Sequence, residues 1–102
     1  MYSMTERRNT QRVSLSLPCT LRRPTSSPIW AETIDVGEGG MSVRAARPLR
    51  EDETIEFDLA EAEVSGRARV VRHGGPRVYG LRFEGLQDQV RARLTSLVQT
   101  GA

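Results

Sequence analysis

The sequence contains no lysine, so all fifteen of its basic residues are arginine. Each cation therefore carries a planar, forked set of donors that can grip a phosphate or a guanine edge at two points, which an ammonium group cannot do. Cysteine and histidine occur once each, at Cys19 and His73. One thiol excludes an internal disulfide and any multi-thiol metal site, and it suits a reducing, cytoplasmic compartment. Aromatic residues are only 5% of the chain, too few to suggest a strand-face platform for stacking the bases of a single strand. No apolar run approaches the length of a membrane span, and Met1 to Thr5 lead into charge, so nothing suggests insertion or export. The net charge of +2 is too small for tight binding to long nucleic acid, where many phosphates must be neutralised together.

With 102 residues, 37% hydrophobic and 27% charged, the composition is that of one small folded domain. Its positive charge is concentrated at the start: Arg7, Arg8, Arg12, Arg22 and Arg23 are opposed before residue 24 by Glu6 alone. Residues 1–12 have no apolar period and are expected to form a mobile basic arm, with a folded unit over 13–99. From Val13 to Arg22 apolar residues alternate with polar ones, the mark of a half-buried strand. Pro18 falls on its outward set and predicts an edge or a bulge there. A second strand spans Ile29 to Val36 and turns through Gly37, Glu38, Gly39 and Gly40 into a third with Met41, Val43 and Ala45 inward. Ile55, Phe57 and Leu59 mark a fourth. Val64 to Arg72 make a fifth, with Val64, Ala68 and Val70 inward, ended by His73 to Pro76, and Val78 to Glu84 make a sixth. Leu86, Val90, Leu94, Leu97 and Val98 then recur at helical spacing to about Gln99. Trp30 is expected in the core. The fold class read from this pattern is all-β with one C-terminal helix, a small six-stranded antiparallel β-barrel.

Catalytic chemistry finds little support. His73 lies in a Gly/Pro-rich turn with no second histidine, and Cys19 falls on the apolar face of a strand, where cysteine behaves as a small hydrophobe. The glycine turn at 37–40 joins two strands rather than a strand and a helix, unlike the phosphate loops of nucleotide-binding folds. By itself it is a flexible hairpin turn.

Two short motifs change this picture when taken together. Arg7, Arg8 and Arg12 resemble the RRxxxR signature of PilZ domains, and Asp35 to Gly40 resemble their DxSxxG signature. The resemblance continues through Arg47 to Leu49, Ile55 to Leu59, the Val70–Val71 pair and Tyr79 to Phe83. It implies a PilZ-type barrel, no enzymatic activity, no cofactor and cyclic di-GMP as ligand. Arg8 and Arg12 would grip guanine edges and phosphates, a good bidentate pair contributing roughly 1–3 kcal/mol of discrimination. Arg7 would bond to or stack on a guanine, and an arginine at that place implies two ligand molecules per domain. Asp35 would accept from guanine N1–H and its amino group, Gly37, Gly39 and Gly40 would complete the ligand-binding set, and Gly40 would allow close backbone approach. The sequence departs from the family at Gly37, where the motif has serine. A lost neutral hydrogen bond is worth about 1 kcal/mol, so Gly37→Ser, which restores the hydroxyl, is expected to tighten binding. The resemblance further implies an adaptor whose arm orders over the ligand to act on an unidentified protein partner or attached domain. The alternative is a barrel of the same fold that has lost the nucleotide and serves only as a protein interaction module.

Overall fold

A computed structural model describes residues 11–100. Its strands are β1 (Arg12–Ser14), β2 (Pro18–Arg22), β3 (Ile29–Gly37), β4 (Gly40–Ala45), β5 (Thr54–Leu59), β6 (Val64–Gly75) and β7 (Val78–Glu84), followed by helix α1 (Asp88–Thr100). A single 3-10 turn at Ala60–Ala62 links β5 to β6. Every pairing is antiparallel, in the order β1-β3-β2-β5-β6-β7-β4, and β4 also pairs with β3. That last pairing closes the sheet into a barrel and covers the free sides that β3 and β4 would otherwise present. Because β1 and β2 both lie along β3, they are two halves of one broken strand, and the barrel is six-stranded as the alternation predicts.

The break has a physical cause. Between Ser14↔Asp35 and Pro18↔Glu32 the first strand carries one more residue than β3, a bulge placed just before the proline that cannot donate to the ladder. The hydroxyl of Thr33, the one buried polar residue among those described, fills this gap. It accepts from the Leu17 N–H at 2.8 Å and donates to the Leu15 carbonyl, so both backbone groups find the partner that the broken ladder denies them.

Inside the barrel lie Val13, Cys19, Leu21, Ile29, Val36, Met41, Val43, Ile55, Phe57, Leu59, Val64, Ala68, Val70 and Leu81, nearly the set that alternation selects. Phe57 and Phe83 stack with centroids 5.0 Å apart. From α1, Leu94 and Val98 are buried against the barrel. Trp30 departs from expectation: it is 67% exposed. Ile29 and Thr33 are buried and Ala31 half-buried, so the even positions in this part of β3 face solvent. Strand β6 is also longer than expected, running past His73 to Gly75, and the His73 ring lies on Tyr79 at 5.0 Å. The fold unit starts one residue earlier than its alternation suggests, since Arg12 already pairs with Gly37. The expected mobile arm otherwise lies outside the described residues.

The rim opposite the glycine turn is tied by Arg23, whose Nε and Nη2 donate to the two oxygens of Glu53 at 2.8 and 2.9 Å while Nη2 also reaches the Pro48 carbonyl. Glu53 further accepts from the Arg50 N–H at 2.8 Å. The Arg23 hydrogen bonds, with help from that N–H and against the cost of partial burial, hold the Glu53 carboxyl below its ordinary 4.5. A lowered folded pKa means that the stabilisation is complete above the ordinary glutamate range and is lost as pH falls through the lowered value. Glu53→Gln is therefore expected to melt a few degrees below the parent at pH 7, with the gap closing towards pH 3. A gap that stays constant across that range would assign the loss to packing rather than to the ion pair.

Candidate ligand site on the outer barrel wall

Two β-bulges build the site. Along β3 the inward positions are odd up to Thr33. An extra residue at Ile34 shifts the register against β4, after which Val36 is inward and Asp35 outward. Without that bulge Asp35 would point into the core, where an unpaired carboxylate is very costly. Along β6, Val70 is inward, an extra residue at Val71 shifts the register against β7, and Arg72 becomes outward as well. Re-aiming a side chain in this way is a common consequence of a bulge.

As a result, one lateral row crosses five strands on the outside of the barrel: Ser14, Asp35, Ser42, Gly80 and Arg72 are successive cross-strand partners. Arg12 lies beside this row. Its Nε and Nη2 both reach Oδ1 of Asp35, at 2.8 and 2.7 Å, and Nη2 lies 3.5 Å from Oγ of Ser42. About a third of each partner in the Arg12–Asp35 pair is exposed, so the pair is open to solvent and to a ligand. Arg12 takes only one oxygen of Asp35, and the carboxylate keeps acceptor capacity for other donors.

The glycines of the turn have distinct places. A Cβ on Gly37 would stand 2.8 Å from the Gln11 carbonyl oxygen and 3.1 Å from Arg12 Cγ, so the bare backbone is the surface against which Arg12 lies. Gly40 faces the adjoining strand: its Cβ would stand 2.2 Å from the Leu81 carbonyl oxygen, which gives it a role in closing the barrel. Gly39 is exposed, a Cβ there would meet nothing within 4 Å, and its carbonyl accepts from Phe83 N–H at 2.9 Å. Arg7 and Arg8 lie outside the described residues.

A cleft of about 390 Å³ opens next to the motif residues, lined by Arg12, Gly39, Gly40, Met41, Val71, Arg72, Gly80, Leu81 and Arg82. Sequence reasoning missed Ser42, Arg72 and Arg82. Arg72 is set outward by a bulge, for which no local residue signal exists, whereas the alternation of β4 already places Ser42 outward. The alternation of β7 likewise places Arg82 outward, so both were available clues. A larger cavity of about 620 Å³ lies elsewhere, bordered by Arg22, Glu56, Arg67 and Glu84. These four are successive cross-strand partners of alternating charge, and no motif residue borders the cavity, so the smaller cleft is the better candidate.

Catalytic groups do not gather in this region among the described residues. Cys19 is 1% exposed, and burial pushes its thiol up to about 12, which leaves essentially no thiolate at neutral pH. Among the described residues no group of three or more His, Cys, Asp or Glu side chains is placed to hold a metal ion, and no helix is long and apolar enough to cross a membrane.

Known proteins bear on the fold and the family. No curated protein matches the sequence. The PilZ domain of CeSA from a cellulose synthesizing bacterium superposes with a TM-score of 0.69 at 18% identity, covering 88% of this chain and 96% of its own. The PilZ domain of YcgR from Escherichia coli, solved with c-di-GMP, superposes with a TM-score of 0.68 at 18% identity, covering 88% of this chain and 87% of its own. The family model described as PilZ domain matches residues 6–100, nearly the whole length. With the closed barrel and the C-terminal helix that the fold comparison shares, this match establishes that the chain belongs to the PilZ domain family.

Proposed function

We propose that this domain is a non-enzymatic receptor for cyclic di-GMP, a doubly anionic molecule with two guanine edges. The observation that carries the reading is the Arg12–Asp35 pair, set outward by the Ile34 bulge at the side of a cleft edged by Arg72 and Arg82. Forked donors for phosphate and guanine O6/N7 stand there beside a carboxylate with a free acceptor for guanine N1–H and its amino group. The YcgR PilZ domain solved with c-di-GMP gives the fold a precedent for this ligand.

Arg7 and Arg8, just ahead of Arg12, extend the donor set, and two stacked ligands per domain is the stoichiometry that Arg7 implies. Ordering of the segment that carries them is the event that would be read by a protein partner or an attached domain. Since the site is made of donors and one acceptor with no activated nucleophile, its output is a change of shape rather than a reaction.

Calorimetric titration with cyclic di-GMP, with GMP and a short single strand as controls, tests the assignment. Saturable heat with cyclic di-GMP alone is expected, and Arg12→Ala should lower the affinity about tenfold, the loss of one good bidentate contact. Absence of heat at high micromolar protein would reject the receptor reading in favour of an interaction module without nucleotide.

A further inference from the structure

The geometry points to Arg72 as a second ligand-gripping arginine, seated on Gly80 at the opposite end of the row from Asp35. This rests on the receptor reading above and deepens it. The bulge at Val71 turns Arg72 out of the barrel onto the same row as Asp35, three strand spacings away, about 14 Å along the wall. Its side chain then lies over the bare backbone of Gly80: the place a Gly80 Cβ would take is 3.3 Å from Arg72 Cβ, 3.4 Å from Nε and 3.6 Å from Nη2. Gly80 is buried although it faces outward, because Arg72 covers it.

The wall thus has two arginines, each laid on a glycine, Arg12 on Gly37 and Arg72 on Gly80, with the Asp35 and Ser42 oxygens between them. They differ in one respect. Arg12 is held by Asp35, whereas Arg72 forms no ion pair among the described residues. An arginine re-aimed by a bulge, laid on a glycine and with no acid partner among the described residues is a donor fork available to an anion. Beside it Val71, one of two large apolar side chains with much exposed surface among the described residues, is 39% exposed and borders the same cleft. An apolar face next to a planar cation is a surface on which a purine base can stack. The chemical class that satisfies both is a purine nucleotide whose phosphate or base edge reaches β6 while its other end meets Asp35.

The test is a titration of cyclic di-GMP into the parent, Arg72→Ala, Arg72→Lys, Gly80→Ala and the Gly80→Ala/Arg72→Ala double variant, each with its melting temperature. Arg72→Ala is expected to weaken binding about tenfold at an unchanged melting temperature, and Arg72→Lys to recover little, since charge without the planar fork is not enough. Gly80→Ala should weaken binding severalfold by lifting Arg72, yet change nothing further in the Arg72→Ala background. If the parent binds and Arg72→Ala binds equally well, Arg72 is no ligand residue and the receptor assignment stands. If Gly80→Ala weakens binding to the same extent in both backgrounds, the seat is overturned. A parent that does not bind removes the receptor reading and this inference with it.

Discussion

Replacement of Gly40 by alanine is expected to lower the melting temperature by about 12–24 °C. The two strands that close the barrel are β3 and β7, both paired with β4, and Gly40 is where β4 meets Arg82 of β7. A methyl group there would stand 2.2 Å from the Leu81 carbonyl oxygen and 3.3 Å from Arg82 Cα. Both are backbone atoms that no rotamer change can move. Relief requires β4 and β7 to separate at the end of the barrel, and overpacking of this kind costs about 1–3 kcal/mol or more. At about 3 kcal/mol, and with roughly 4–8 °C lost per kcal/mol in a domain of this size, the stated range follows. Gly39→Ala is the control, since its added methyl group meets nothing within 4 Å and its φ is not in the left-handed region. Thermal denaturation of the two variants decides the matter. A Gly40→Ala melting temperature within about 3 °C of the parent would mean that the strands slide apart freely and that closure does not depend on this contact.

The glycine that ends the DxSxxG-like run thus has a packing reason that is independent of any ligand. It was legible as part of a motif, and the resemblance suggests close approach of a ligand. The structure adds that the close approach already present is that of β7. Such a contact between strands far apart in sequence has no local signature, because the residue that fills the space, Leu81, is separated from Gly40 along the chain by the whole of β5 and β6.

Much of the barrel was legible because its inward set is periodic: Ile55, Phe57 and Leu59, or Val13, Cys19 and Leu21, fall on one parity and are buried. The readings that failed or fell short at the site share one cause. Bulges at Ile34 and Val71 change the parity of β3 and β6 partway along, and both are β-branched residues of the kind ordinary strand positions carry, so neither marks its bulge. Parity counted from Thr33 places Asp35 inside, and parity counted from Val70 does the same for Arg72. Only the register with the adjoining strand shows that both face out, so the candidate site is legible through its motif and not through its pattern, and Arg72 through neither. Trp30 is the opposite case. The alternation of Ile29, Ala31 and Thr33 already assigns it to the outside, and the preference of large apolar side chains for the core was given too much weight.

Gly37→Ser is expected to weaken cyclic di-GMP binding at least tenfold, which reverses the expectation drawn from the motif alone. The motif argument counts a lost hydroxyl and a looser turn, and it requires room for the serine. The backbone at Gly37 is not in the left-handed region, so φ is no obstacle. Space is the obstacle: a Cβ would stand 2.8 Å from the Gln11 carbonyl oxygen and 3.1 Å from Arg12 Cγ. The side-chain carbon can yield, but the carbonyl can move only with the backbone of residues 11 and 12. That backbone leads into β1, which is three residues long and is held to β3 at Arg12↔Gly37, Val13↔Val36 and Ser14↔Asp35. Displacing its first pair misplaces the Arg12 guanidinium, whose 2.7 and 2.8 Å contacts with Asp35 tolerate little shift, and with it the chain that leads back to Arg8 and Arg7. The regained hydroxyl returns about 1 kcal/mol at best, against the loss of a bidentate contact of roughly 1–3 kcal/mol and the altered approach of two further arginines. Calorimetry on Gly37→Ser and Gly37→Ala separates the contributions, because alanine carries the same Cβ without the hydroxyl. Both variants should lose affinity and melt a few degrees lower, alanine losing slightly more affinity. Tighter binding by the serine variant at an unchanged melting temperature would show that β1 reseats at no cost and that the missing hydroxyl, not the seat for Arg12, is what glycine at this position determines.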